Sequence, residues 1–206
     1  MKHYCHPNSR ATTTIWMLEE LDVPHEQIVI DFAANEHRSP EYLAVNPMGK
    51  VPALVDGDAV VTEAAAICAY LADKFPDKGL APPPGSTERA TSYRYLFLPG
   101  NTLEPLFSLT TLGITHPNPV AAGWGDMSRA MATVESMTPA AGWALGERFT
   151  AADVVFGGML DFCMVFNWAQ VSPKVAAYVG RIRERPAYQA THAAFVSANY
   201  RIRIEG

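Results

Sequence analysis

An α/β domain followed by an all-α domain is the architecture this sequence predicts, and three observations predict it. Residues 1–78 alternate short strand-like and helix-like segments. Residues 79–86, Gly-Leu-Ala-Pro-Pro-Pro-Gly-Ser, form a proline-rich break with the composition of a linker. Residues 87–206 are helical in pattern, interrupted at Pro99, Pro105 and the Thr115–Pro119 stretch.

Lys2–Cys5 reads as the first strand. Ala11, Ile15, Leu18 and Leu21 then recur at helical spacing, and His25–Ile30 reads as a second strand. Ser39-Pro40-Glu41 is a helix start, with proline at the first helical position, where its missing N–H has no intrahelical partner to lose. Ala53–Val55 and Ala59–Val61 face each other across Asp56-Gly57-Asp58, a hairpin signal, and Glu63 to Phe75 reads as a helix. The order β-α-β-α-β-β-α puts a parallel strand pair first and an antiparallel hairpin last.

Beyond the linker the sharpest local signal is Thr150-Ala-Ala-Asp153. The Thr150 hydroxyl can accept from the Asp153 amide while the Asp153 carboxylate reaches back to the Thr150 amide. Phe149 and Val154 occupy the two positions of a hydrophobic staple. The helix that follows, Ala151 to about Phe166, is apolar nearly all round apart from Asp161, the pattern of a buried core element. Ser172-Pro173 opens another helix, with Val175, Tyr178, Val179 and Ile182 on one face, ending before Pro186. The end Tyr200-Arg-Ile-Arg-Ile-Glu205 alternates basic and apolar residues and reads either as a tail over a cleft or as a solvated end.

Composition narrows the function classes. The chain has 206 residues, 49% apolar and 18% charged, as an ordered soluble globular protein has. A net charge of −5 argues against nucleic acid as a partner. No apolar run reaches the roughly 18 residues of a membrane span, and Met1-Lys2-His3 enters a strand rather than a leader. Cys5, Cys68 and Cys163 form no CxxC pair, the histidines form no HExxH cluster, and no metal site is expected. Reduced cytoplasm fits best.

The most informative stretch is Asn46-Pro-Met-Gly-Lys-Val-Pro-Ala-Leu54 with Thr62-Glu63-Ala64 after it. Pro52 sits inside a strand-like run, where it removes a ladder donor. A cis Val51–Pro52 peptide is one reason for it: the chain turns, and the N–H and C=O of Val51 face a cleft where an extended peptide can pair as an added strand. An edge strand with a trans proline is the alternative. Glu63 precedes a helix whose first amides favour a carboxylate. A small acidic peptide suits this geometry.

Four local matches then accumulate: His6-Pro-Asn-Ser-Arg10 leading to Trp16-Met-Leu-Glu-Glu20; Glu36-His-Arg-Ser-Pro-Glu41; Val51-Pro52 with Thr62-Glu63; and Glu147-Arg-Phe-Thr-Ala-Ala-Asp153. In order and spacing they resemble the cytosolic glutathione transferase family, essentially end to end. The resemblance implies a thioredoxin-like N-terminal domain (1–78), a linker (79–86) and an all-α C-terminal domain (87–206). It implies glutathione as co-substrate, a small hydrophobic electrophile or a disulfide as its partner, and a homodimer. Residue by residue, it assigns Val51 and Pro52 to the cysteinyl backbone, Glu63 and the Ala64 amide to the γ-glutamyl end, and His37 and Lys50 to the glycyl carboxylate. Most members carry serine where Ala64 stands. That departure favours the alternative reading, a non-catalytic binding or scaffold protein of the same fold.

The chemistry implied needs an ionised thiol, and a free thiol of pKa about 8.5 is only roughly 3% thiolate at pH 7. A helix N-terminus with one hydrogen-bond donor can supply the difference. Ser9 fits that place and resembles the catalytic serine of phi-like members. Asn8 is the alternative, as in nu-class openings that favour disulfide chemistry, and His6 is the third. Tyr4 and Cys5 fall inside the strand. The resemblance places the hydrophobic co-substrate between the domains, with Tyr95, Phe97, Leu103, Phe107, Leu109 and Trp124 as candidate linings.

Overall fold

The computed structural model describes residues 1–118 and 120–191, in two compact units. One comprises Met1–Lys78 and the described residues from Pro186 onward; the other spans Gly79–Arg185. The tail Tyr200–Glu205 and the remainder of residues 192–206 lie outside the described residues.

The first unit is built on a four-stranded sheet of order β2-β1-β3-β4. Strand β1 (Lys2–Cys5) pairs in parallel with β2 (Glu26–Val29) and antiparallel with β3 (Ala53–Asp56), which pairs antiparallel with β4 (Ala59–Thr62). The predicted parallel pair and hairpin are therefore both present. The β3–β4 turn is two residues long, with Gly57 at φ 60, the left-handed region such tight turns demand.

Helix α1 (Ala11–Leu21) follows β1 and buries Ala11, Leu18 and Leu21, as the spacing predicts, together with Trp16 and Met17. Thr12, Thr13 and Thr14 are buried with them. Helix-internal threonines compete with the backbone for hydrogen bonds, and here two resolve it by donating backwards, Thr12 to the Ser9 carbonyl (3.0 Å) and Thr14 to that of Ala11 (2.9 Å). Helix α2 (Pro40–Val45) starts at Ser39, whose hydroxyl accepts from the Tyr42 amide at 3.1 Å. Helix α3 (Ala64–Lys74) returns along the sheet, tied to the hairpin where Tyr70 donates to Asp56 at 2.6 Å and Lys74 pairs with the same carboxylate. Tyr188 meets Trp16 edge to face at 5.4 Å, which draws the segment from Pro186 into this unit.

The second unit is helical. Helix α4 (Thr87–Leu98), capped by Ser86, runs through a wide π-turn at Pro99–Leu103 into α5 (Glu104–Thr111); α6 (Met127–Met137), α7 (Ala151–Val165) and α8 (Pro173–Arg183) follow. The capping box at Thr150 and Asp153 is formed in full, and α7 is buried from Ala151 to Cys163. The Asp161 carboxylate, 1% exposed inside that helix, is met by the Arg183 guanidinium at 2.6 and 2.7 Å, a charge-assisted bond that offsets its burial. Val175, Tyr178, Val179 and Ile182 are all buried on the predicted face of α8. A Cβ at Gly157 would lie 2.0 Å from the Ile182 side chain, so α7 and α8 approach only because that residue is glycine. Among the described residues no helix is long and apolar enough to cross a membrane, and no group of three His, Cys, Asp or Glu is placed to hold a metal.

Candidate functional site

Strand register decides which loops meet. Tyr4 pairs with Ile28 and with Ala53, and Ala53 pairs with Thr62. The exit from β1 (His6–Arg10), the exit from β2 (Ile30 onward), the entry to β3 (Lys50-Val51-Pro52) and the exit from β4 (Glu63) therefore leave one end of the sheet together. Every first-domain candidate except His37 lies on or beside these loops, and His37 reaches them through Phe32.

Ser9 sits just ahead of α1. Its hydroxyl accepts from the Ala11 amide at 3.1 Å and donates to the His6 carbonyl at 2.7 Å. No acidic residue occupies the first turn of this helix. Asn8 is exposed, and its backbone amide donates to Nδ1 of His6 at 3.1 Å. The His6 ring stacks on Phe32 at 4.4 Å with planes 22° apart, and Phe32 meets the edge of His37 at 5.2 Å and 85°. His37 is half-buried on a short turn, Glu36–Arg38, and its Nδ1 is buried with no hydrogen-bond partner among the described residues. Tyr4 and Cys5 lie within β1, and burial pushes the Cys5 thiol up to about 11, which makes it a poor nucleophile.

The Val51–Pro52 peptide is cis. The preceding carbonyl, that of Lys50, accepts from Tyr42 Oη at 2.5 Å and from Asn46 Nδ2 at 2.7 Å. Burial raises the Tyr42 hydroxyl to about 12, so it stays a donor at every physiological pH. Val51 packs with Tyr4 and Val45 on the buried cluster of Ile30, Tyr42 and Ala53. Gly49, at φ 61, would carry a Cβ only 2.7 Å from the His37 carbonyl, so that close approach also requires glycine. The Lys50 side chain is exposed.

Glu63 precedes α3 with φ 70 and ψ 122, a sparsely populated conformation for a residue with a side chain. Ala64 is the first residue of the helix and is half-buried. Such strain, over-determined by its surroundings, concentrates at functional sites.

The second-unit candidates divide by burial. Leu103 and Phe107 are 0% and 1% exposed, and Tyr95 is buried with its hydroxyl donating to the Met137 carbonyl at 2.9 Å. Phe97 is 48% exposed. Leu109 and Trp124 are half-buried, and Trp124 Nε1 has no hydrogen-bond partner among the described residues.

Sequence reasoning missed Phe32, the Tyr42–Asn46 clamp and the strained Glu63. Only the clamp left a readable signal, Asn46 and Tyr42 falling four and eight residues before Lys50 on a helix and its end.

Residues 1–73 match the family described as Glutathione S-transferase, N-terminal domain. Glutathione S-transferase 3 of Zea mays is 28% identical over 201 residues, 91% of this chain and 90% of that one. Among solved structures, a glutathione transferase from Methylococcus capsulatus str. Bath superposes with a TM-score of 0.74 at 29% identity, covering 96% of this chain and 98% of that one. A sphingomonad glutathione S-transferase complexed with glutathione superposes with a TM-score of 0.73 at 28% identity, covering 94% and 98%.

Proposed function

Because the chain belongs to the cytosolic glutathione transferase family, we propose that it is a glutathione transferase whose first unit binds and ionises glutathione with Ser9 as the activating donor. The observation that carries this is the Ser9 hydroxyl at the start of α1. It accepts from the Ala11 amide, which polarises its O–H, and its proton is spent only on a loop carbonyl. A small rotation re-aims that proton at a sulfur anion. With the dipole of α1, it favours thiolate over thiol. Lowering the thiol pKa by ~2 units corresponds to about 2.7 kcal/mol and brings the thiolate to around three-quarters at pH 7. Ser9 forms no covalent bond: the glutathione sulfur makes the new bond to the co-substrate as the leaving group departs. Asn8 and His6 are the alternative donors.

In this reading the peptide lies across the end of the sheet, its cysteinyl backbone on Val51 beside Pro52. Its γ-glutamyl end is at Glu63 and the Ala64 amide, and its glycyl carboxylate at Lys50 and His37. The clamp on the Lys50 carbonyl supports the role of that loop, since it fixes the backbone an extended peptide would pair with. Of the second-unit candidates, Phe97 and Trp124 retain surface to offer a small hydrophobic electrophile. Tyr95, Leu103 and Phe107 are buried as core packing. The homodimer implied by the family is part of the proposal, and sedimentation velocity reads it directly.

The test is an ultraviolet difference titration with glutathione across pH. Saturable thiolate absorbance well below the free thiol's pKa of about 8.5, lost in Ser9→Ala, is the expected result. Binding without ionisation overturns the catalytic reading and leaves a binding protein of the same fold. Ionisation that survives Ser9→Ala moves the role to Asn8 or His6.

A further inference from the structure

The turn between β1 and α1 is closed at both ends by one residue. His6 gives its carbonyl to the Ser9 hydroxyl (2.7 Å) and its ring Nδ1 to the Asn8 amide (3.1 Å). Between them Pro7 has a fixed φ and no N–H of its own. An amide received two residues back by a side-chain acceptor is the geometry of an Asx-turn, performed here by an imidazole. Accepting at Nδ1 fixes the tautomer, with the proton on Nε2. The ring has little freedom to leave, because Phe32 lies flat against it at 4.4 Å, and Phe32 is itself braced by the edge of His37.

We propose that His6 is a positioning residue of this turn: its ring, held against Phe32, takes the Asn8 amide and so fixes where the Ser9 hydroxyl points. The proposal rests on the reading of Ser9 as the donor to a glutathione thiolate. The role assigned to His6 differs from that of an activating base or donor, because it is exerted through Nδ1 on the protein's own backbone and not through Nε2 on the sulfur. Removing the acceptor while keeping the ring should loosen the turn, lower the fraction of time Ser9 is aimed at sulfur, and leave the peptide's grip on Val51 and Glu63 largely intact. A donor role for the ring would instead lower thiolate formation in the variants while leaving Asn8 amide exchange unchanged.

Two substitutions separate these cases. His6→Phe keeps the stack on Phe32 and loses the acceptor; His6→Asn restores an acceptor at the position an Asx-turn uses. Glutathione thiolate is titrated in wild type and both variants, and Asn8 amide exchange is followed by NMR in the ligand-free proteins. In H6F the apparent thiol pKa is expected to rise by ~1 unit, a roughly tenfold fall in the thiolate-to-thiol ratio at fixed pH. The glutathione dissociation constant should change less than about threefold, and H6N should recover most of the pKa change. Asn8 exchange should be faster in H6F and slow again in H6N. An unchanged thiol pKa and unchanged Asn8 exchange in H6F overturn the proposal, as does an H6N variant no better than H6F. If wild type itself fails to ionise glutathione, the transferase reading falls, and Asn8 exchange still decides whether His6 holds the turn.

Discussion

Two helix starts in this molecule share the same physics and reach opposite ends. At α7, Thr150 and Asp153 are 1% and 0% exposed, and the Asp153 carboxylate accepts from the Thr150 amide, the Ala144 amide and the Tyr178 hydroxyl at 2.9, 2.6 and 2.8 Å. That helix carries its own anion. At α1 no acidic residue occupies the first turn, and Ser9 is half-buried with its proton lodged on a loop carbonyl. A helix start that supplies its own carboxylate is closed and serves stability. One that omits it has its first amides held by oxygens of Ser9 and Arg10, and leaves the partial positive charge of the helix end uncompensated for an anion from outside.

The sharpest way to break the contrast is at the closed end. Asp153→Ala strands two amides and a buried tyrosine hydroxyl, each worth about 1–3 kcal/mol when unsatisfied. A loss of at least ~3 kcal/mol is expected, read as a fall in urea midpoint at unchanged slope.

Acid should act next, and beside the open end. His3, in β1, is fully buried, with Nε2 at 2.8 Å from the Thr14 hydroxyl. Thr14 already donates to Ala11, so Nε2 is the donor and Nδ1 is unprotonated, buried and without a partner among the described residues. Burial, with the His25 ring at 6.4 Å adding to it, holds His3 down to about 4. Its folded pKa lies below the unfolded 6.5, so the unfolded chain binds more protons between those values, and stability is present above 6.5 and lost as pH falls toward 4. The whole window amounts to about 3 kcal/mol. Denaturation midpoints measured from pH 7 to pH 4 should fall less steeply in His3→Phe than in wild type. Parallel slopes would remove His3 from the account.

Ser9→Ala sharpens the comparison from the other side. Losing the acceptor for the Ala11 amide should lower stability by only ~1 kcal/mol, whereas the glutathione thiol pKa rises by ~2 units. A variant that loses stability as Asp153→Ala does, with thiolate formation intact, would make α1 a second closed start. The smallest structural effect belongs to Lys50→Ala. That side chain is exposed, so stability should move less than ~0.5 kcal/mol. The glutathione dissociation constant should rise severalfold, with a steeper response to low salt in wild type than in the variant.

What the sequence disclosed were features whose partners lie within a few residues of each other. The capping box, the serine starts of α2 and α8, the two-residue hairpin and the turn at Pro52 are all of that kind. The face of α8 was equally legible because helical spacing is itself local. Phe32 was not, since its stacking on His6 joins residues 26 apart and nothing in Asp31-Phe32-Ala33 announces it. The strain at Glu63 is set by β4 and α3 together, so Thr62-Glu63-Ala64 alone does not declare it. Among Tyr95, Phe97, Leu103 and Phe107, periodicity identifies apolar positions on a helix, but only packing separates enclosed residues from exposed Phe97.

The wide turn at Pro99–Leu103 carries one residue more than an α-turn would. Each residue on a helix advances about 100° around its axis, so this single extra position sets the rotational phase of everything beyond it. Deleting the exposed Gly100 or Asn101 would leave a rod that still closes its hydrogen bonds, but one wound on by roughly a quarter turn. Phe107, now enclosed and facing Trp168 at 5.4 Å, would swing toward solvent, and a polar neighbour would take its place inside. The bulge thus behaves as a counting error that the rest of the helix has been written to require, and lineages that gain or lose a residue there must rewrite α5 with it.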